Sequence, residues 1–345
     1  MKFTTLCLTL ASCAAFTIPA VGYGPAGHAL VGAIADEKLA GTPAGARVTQ
    51  LLDGLDLEYA ANVPDRIKSW DRPNGHFNLP GQHPILQSQL REFFDANKDS
   101  VDHRQGEPLH HVFHYTDVPI DAASYAAATT GTSEFDVIHM IPYCVKVLTG
   151  ATPENNERKI TKSVAVILLA HYLGDIHQPL HVGAKYFQVG NQTLPDVGGN
   201  TITASFADGT TAKLHSYWDG TVVTAAERLF DEQLNNLRDP SIESYAAALK
   251  DRVPTGWQAP TGDPTTWAEA WANEILPIAR EAHERLSFGP AQAGDFHGQT
   301  VANVTAQEKP VQGGDSYAAW SGKTAAAEIH KGGWRLAALL QAILH

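Results

Sequence analysis

Apolar residues recur three and four positions apart over Gly27 to Leu39, Val137 to Leu148, Lys159 to Leu173, Thr221 to Leu237, Thr266 to Leu286 and Ala325 to Leu344. That spacing lines one face of a helix rather than one face of a strand. Alanine is abundant in the same segments and favours the same state. Between them, Pro and Gly gather at 73–84, 189–200, 253–264 and 289–314, and these stretches read as loops. The segment Asn200 to Leu214 reads differently, with Thr201-Ile202-Thr203 and Ala207-Asp208-Gly209-Thr210 suggesting a small hairpin around a turn. No internal repeat or low-complexity tract interrupts the pattern. We expect one mainly helical domain over 23–345 with a small β-hairpin.

The first 22 residues stand apart from that domain. Lys2 supplies a positive start, Phe3 to Phe16 an apolar stretch, and Ala20-Val21-Gly22 a small-x-small cleavage site, which together read as a secretory signal with Tyr23 as the first mature residue. A competing reading takes Leu10-Ala11-Ser12-Cys13 as a lipoprotein box, although the apolar run before Cys13 is short for one. Cleavage at Gly22 removes Cys7 and Cys13 and leaves Cys144 alone, so no intramolecular disulfide is expected in the mature chain. Later apolar runs are too short to span a bilayer, and the expectation is an exported, secreted or periplasmic protein, with a monomer favoured. The net charge of −12 argues against a broad basic surface for duplex nucleic acid. It leaves phosphate substrates open, because buried divalent cations create local positive potential whatever the net charge.

Candidate chemistry concentrates in His171-Tyr-Leu-Gly-Asp175-Ile-His-Gln-Pro-Leu-His181. Residues four apart share a helix face, so His171 with Asp175, and His215 with Asp219 downstream, can each present an imidazole and a carboxylate to one ion. Pro179 breaks the helix and lets His181 approach from another direction. A single His-x-x-x-Asp is weak, since most such histidines are satisfied by ordinary hydrogen bonds; two copies plus His181 are not. Further candidates are Tyr23-Gly-Pro-Ala-Gly-His28, Asn62-Val-Pro-Asp65-Arg-Ile-Lys68 and His110-His111-Val-Phe-His114-Tyr115-Thr116-Asp117. Nitrogen and carboxylate oxygen without cysteine suit zinc used for hydrolysis.

The ordered set Gly-x-x-Gly-His, Pro-Asp-x-Ile-Lys, Phe-His-Tyr, His-Tyr-Leu-Gly-Asp-Ile-His-Gln-Pro-Leu-His, Gly-Gly-Asn and Leu-His-x-x-Trp-Asp resembles the zinc-dependent type I nucleases. These are the single-strand-specific nucleases and 3′-nucleotidases related in fold to zinc-dependent phospholipase C. The motifs run from Tyr23 to Asp219, and Lys331-Gly-Gly-Trp-Arg is similar to the family's closing helix. The resemblance implies a helical domain of the phospholipase C/nuclease type holding three Zn2+ ions. One would be held by Asp65, His114, His171 and Asp175, and a second by His181, His215 and Asp219. The third would use the α-amino group and carbonyl of Tyr23 with His28 and the shared carboxylates Asp175 and Asp219. A terminal amine can lose its proton to zinc where a chain amide cannot, so leader removal would complete the site. The family usually begins with tryptophan, which puts the packing of the Tyr23 ring in question rather than main-chain ligation.

The same resemblance implies hydrolysis of single-stranded DNA and RNA to 5′-phosphate products, with 3′-nucleotides as further substrates. Asp65 would serve the attacking water and Lys68 the phosphoryl oxygens; the bland reading of Lys68 is a solvated surface group. Tyr115 and Asp117 are candidates for base stacking and base hydrogen bonding, against core packing and a turn cap. Asn200 is a candidate substrate contact or a turn residue. His177 is expected to support the ligands from outside. His76, His83, His103, His110, His111 and His139 carry no compelling spacing, and Asn191 and Asn303 begin glycosylation acceptor triplets. The alternatives are a zinc phospholipase C or phosphomonoesterase on the same cluster, and an exported zinc-binding protein without turnover.

Overall fold

The helix Lys162–Asp175 sits at the centre because its sequence leaves it no solvent face: every residue from Val164 to Asp175 is buried. Thr161 starts it, its hydroxyl accepting from the Val164 amide at 3.3 Å. In this computed structural model the described residues are 23–99, 107–126, 128–234, 237, 239–310 and 313–344. The expected leader at 1–22, and His103, lie outside the described residues.

The helices expected from periodicity are present as Gly24–Leu39, Val137–Thr149, Lys162–Asp175, Val222–Gln233, Trp267–Glu284 and Tyr317–Ile343. Val137–Thr149 packs on the central helix. The Asp136 carboxylate caps it, accepting from the amides of Ile138 and His139 at 3.1 and 3.2 Å, and Gly150 closes it at φ 83°. Tyr317–Ile343 lies along Gly24–Leu39. Their close approach needs Gly333, where a Cβ would meet the Ile34 Cβ at 2.6 Å. Helices at Pro43–Leu51, Pro84–Asn97 and Ile242–Leu249 add to the expected set. Pro84 opens its helix, where a missing N–H costs nothing, rather than belonging to the preceding loop.

The expected hairpin is present as Ile202–Ser205 antiparallel to Thr211–Lys213. Along its other edge, Ile202–Ser205 pairs in parallel with Gln299–Glu308, which also pairs with Leu286–Phe288 and Gln292–Phe296. The segment 289–314, expected as a loop, therefore holds two strands of a five-stranded sheet. Their buried positions include Val301, Val304 and Ala306, and the turn is His297-Gly298, both at positive φ. Alanine in place of larger β-branched residues weakens that alternation as a signal. Likewise Gln192–Pro195 pairs with Tyr186–Val189 inside the expected loop 189–200. The stretches 73–83 and 253–263 carry no helix or strand. Among the described residues no helix is long and apolar enough to cross a membrane. Cys144 is a buried free thiol.

Candidate metal centre

Four imidazoles converge on the carboxylate that ends the central helix. Asp175 Oδ2 lies 3.0 Å from His114 Nδ1 and 3.1 Å from His171 Nε2, and Oδ1 lies 3.2 Å from His181 Nδ1 and 3.5 Å from His28 Nε2. Asp65, from the short helix Val63–Ile67, brings Oδ1 to 3.7 Å from His171 Nε2 and 3.8 Å from His114 Nδ1. The same oxygen meets Lys68 Nζ at 2.8 Å, one turn on. Nearby, His215 Nε2 lies 3.3 Å from Asp219 Oδ2, and the His215 and His181 rings are 5.0 Å apart. The His215 pair does not ride on a regular α-helix: a three-residue turn at Leu214–Ser216 runs into a π-helical turn at Tyr217–Thr221.

Backbone carbonyls aim these rings. His171 Nδ1 donates to Ala61 O at 2.6 Å, His181 Nδ1 to His114 O at 2.9 Å, and His215 Nδ1 to Gly198 O at 2.7 Å. Each bond fixes the tautomer and leaves Nε2 as a bare lone pair. The amides of Thr116 and Val118 bond to the carbonyls of His181 and Val182, so the His114 and His181 segments are held side by side. Gly174 admits His28, since a Cβ there would sit 2.4 Å from His28 Nδ1, and the His28 ring stacks on His171 at 3.8 Å. Gln178, which chain spacing did not single out, donates to Asp219 Oδ1 at 3.0 Å.

The donor atoms fit bound cations. Both nitrogens of His28, Oδ2 of Asp65, Oδ1 of Asp175 and Nε2 of His181 and His215 are buried without a hydrogen-bond partner. Leaving so many polar atoms unpaired costs about 1–3 kcal/mol each unless an ion satisfies them. Ligands about 2.0–2.1 Å from a tetrahedral zinc stand roughly 3.3 Å from one another, inside the range of separations above. Three groups each place their ligand atoms within 4.8 Å: His28 with His171 and Asp175, Asp65 with His114 and His171, and His181 with His215 and Asp219.

Electrostatics favours the ligating protonation states of His28, His215 and Asp65, whereas His171, lowered by burial, is raised overall by Asp175 and Asp65. Burial, then His171, holds the His28 imidazole down at about 3; burial, then His181, does the same for His215. Burial raises the Asp65 carboxyl on its own, but Lys68, His171 and His114 outweigh it and hold it below the ordinary carboxylate range.

Tyr23 is wholly buried, its hydroxyl donating to His177 O at 2.7 Å, so the ring is packed and satisfied. Its main chain runs beside Asp219: a Cβ on Gly24, at φ 57°, would meet the Asp219 carbonyl at 2.4 Å. His177 touches Arg335 Nη1 through Nε2 at 2.9 Å, which links Tyr23 to the closing helix, and Arg335 also pairs with Glu274 of Trp267–Glu284. Tyr115 is half-buried next to His114. Asp117 is buried, and desolvation, then Asp196 and Glu107, push its carboxyl up to about 8. Asn200 uses its amide to donate to Val197 O at 2.9 Å, closing the turn after Gly199. His76 is exposed, while His83 and His139 pair with Asp53 and Asp136. His110 and His111, without a signal in chain spacing, share the carboxylate of Asp71.

This arrangement accompanies a family match. A model described as S1/P1 Nuclease matches residues 23–345, from the first residue of the described chain onward. The chain belongs to the S1/P1 nuclease family. It is similar to Endonuclease 2 of Arabidopsis thaliana, 25% identical over 242 residues that make up 68% of this chain and 66% of that protein. It is also similar to Endonuclease 1 of the same plant, 30% identical over 208 residues, 58% of this chain and 64% of that one. The chain thus spans just under two thirds of the length of these relatives. The mainly helical architecture is that of the S1/P1 nuclease family.

Proposed function

We propose that this S1/P1 family member is an exported, zinc-dependent endonuclease that hydrolyses single-stranded DNA and RNA to 5′-phosphate products and removes the phosphate of 3′-nucleotides. The observation that carries this reading is the convergence of His28, His114, His171 and His181 on Asp175, with the Asp65–Lys68 pair alongside. When bound, zinc supplies Lewis acidity toward phosphoryl oxygen and a bound water acidic enough to ionise near neutral pH.

The chain's own residues divide the remaining work. Asp65 has one oxygen on Lys68 and the other, Oδ2, buried without a partner, ready to orient the attacking water and hold its proton. Lys68 presents positive charge for the phosphoryl oxygens. Asp117, poised near neutrality, can both donate to and accept from a base edge, and the Tyr115 ring can stack on it. An unpaired nucleotide suits such a site, because a duplex supplies one only by unstacking.

A cleft of about 690 Å³ opens beside the Lys68–Asp71 turn, its lining including Trp70, Phe77, Arg72, His76 and Arg91 and no acidic residue, with Arg91 over the Trp70 ring and paired to the exposed Asp95. In a chain of net charge −12 this supports a track for a single strand. Replacing Arg72 and Arg91 together by alanine is expected to raise KM for a long oligonucleotide about tenfold. Hydrolysis of a 3′-mononucleotide should be unchanged. The slope of log KM against log salt should fall by about 1.4, roughly 0.7 for each phosphate that the two arginines no longer neutralise. Equal effects on both substrates would remove the cleft from strand binding.

The reading is tested on protein recovered after export, with its N-terminus determined by intact mass and its zinc quantified. A mass beginning at Tyr23 and EDTA-sensitive cleavage of single strands are expected. Full zinc with cleavage of phosphatidylcholine and none of nucleic acid would move the assignment to a phospholipase. Zinc without any turnover would leave a binding protein.

A further inference from the structure

Outside the metal centre, one more set of side chains among the described residues brings two imidazoles and a carboxylate within ligand distance of one another. His110 Nε2 lies 3.1 Å from Asp71 Oδ1, and His111 Nε2 lies 2.8 Å from Asp71 Oδ2. Ligand atoms of the three residues all fall within 4.8 Å of one another, the closeness also found in the groups of the main cluster. The His110–Asp71 separation equals that of His171 with Asp175 at 3.1 Å, while His111–Asp71 at 2.8 Å is shorter, the length of a hydrogen bond that an ion would open. We propose that Asp71, His110 and His111 form a further zinc site, distinct from the S1/P1 cluster, with its remaining positions filled by water. The inference is independent of which phosphodiester the protein cleaves.

Position and chemistry both favour it. The side chains of Asp71 and His111 are 28% and 26% exposed, so an ion has a path from solvent, while His110 is 1% exposed and fixes one ligand firmly. Two nitrogens and a carboxylate are a donor set zinc accepts, with an open coordination position. Burial, then His111, hold the His110 imidazole down at about 4, so it is neutral near pH 7; burial lowers His111 as well, but its bonds to Asp71 and Glu107 outweigh that and raise it, so an ion displaces a proton there. Glu107 Oε2 stands 3.8 Å from His111 Nδ1, on the side where a ligating histidine is usually steadied by a carboxylate. Lys68, the nearby cation, is held by Asp65.

A buried nitrogen sets this site's rank. His110 Nδ1 has no partner, so moving the ring proton there to free Nε2 leaves an unpaired N–H. The site is therefore weaker than the main cluster and loses its ion first. When filled, it clamps the Lys68–Asp71 turn to the Leu109–Val112 helix, the segments that follow Asp65 and precede His114.

The test is zinc stoichiometry of the exported protein during graded chelation, read by elemental analysis with melting temperature alongside. Wild type is expected to release one equivalent at low chelator, with a fall in melting temperature, before the rest. His111→Ala and Asp71→Asn, both at partly exposed positions, should lack that first equivalent and keep the others, with EDTA-sensitive hydrolysis retained. Folded variants that hold the same number of ions as wild type, released in the same order, would overturn the site and leave a hydrogen-bonded His-Asp-His clasp. Because the readout is metal content, loss of the nuclease reading would not touch it.

Discussion

Asp175→Ala is expected to eliminate hydrolysis, by at least about 10⁴-fold, and to strip zinc from the cluster. The magnitude is that of losing metal activation together with positioned acid–base chemistry. Four histidines meet this one carboxylate within 3.5 Å, two on each oxygen. With it gone, the imidazoles of His28, His114, His171 and His181 face one another with only Asp65, 3.7 and 3.8 Å from His171 and His114, as a nearby anion. His171 and His114 already approach at 2.8 Å between nitrogens. Breaking a buried charge-paired group costs about 3–5 kcal/mol, so melting temperature should fall as well. Asp175→Asn separates the effects: it keeps the shape and most packing but not the charge, and should lose zinc with a smaller fall in stability. Zinc per chain, melting temperature and cleavage of a single-stranded oligonucleotide are read on the same samples. An Asn variant with full zinc and turnover would show that Asp175 only packs the helix end.

Two pairs in this cluster were legible because their spacing is local, whereas His28, His114 and the grouping of the candidate ligands rested on the resemblance to the type I nucleases. His171 and Asp175 lie on one helical face, and Lys68 follows Asp65 by a turn, so chain periodicity alone put each pair together. The long helices were legible for the same reason. What escaped was non-local or written in small residues. Asp71 meets His110 and His111 across about forty positions, which no spacing rule anticipates. Gly174 reads as a weak point in a helix until His28 is seen against it. Arg335 reaches His177 from the closing helix, a contact only the packing of the termini creates. The strands at Gln292–Phe296 and Gln299–Glu308 were hidden because Ala and Gly stand where larger β-formers usually mark a strand. The Tyr217–Thr221 π-turn is a further case: the His215–Asp219 spacing pointed to a shared face, and the backbone reaches that face by a wider turn.

Asp65→Asn is expected to lower kcat by about 10²- to 10⁴-fold, the usual worth of a positioned general base, with the fold retained and KM little changed. Asparagine keeps the volume at a side chain that is 10% exposed, and the neighbouring ligands His114 and His171 remain anchored by Asp175. What disappears is the carboxylate whose Oδ2 has no other partner and whose Oδ1 neutralises Lys68. Lys68→Met, by contrast, removes charge from the phosphoryl side and leaves the base in place, so a smaller loss of roughly 10- to 100-fold is expected. Because the two side chains meet at 2.8 Å, their effects cannot be independent. Once Asp65 is neutral, Lys68 stands as an unpaired cation beside the ions and opposes their binding, so removing it as well should cost little more. The double variant is then expected to be about as slow as Asp65→Asn alone, and to hold zinc more tightly than that single variant. Turnover and zinc affinity of the two single variants and the double decide this. Multiplicative losses would mean that Asp65 and Lys68 act separately, and full activity of Asp65→Asn with zinc bound would remove Asp65 from proton transfer.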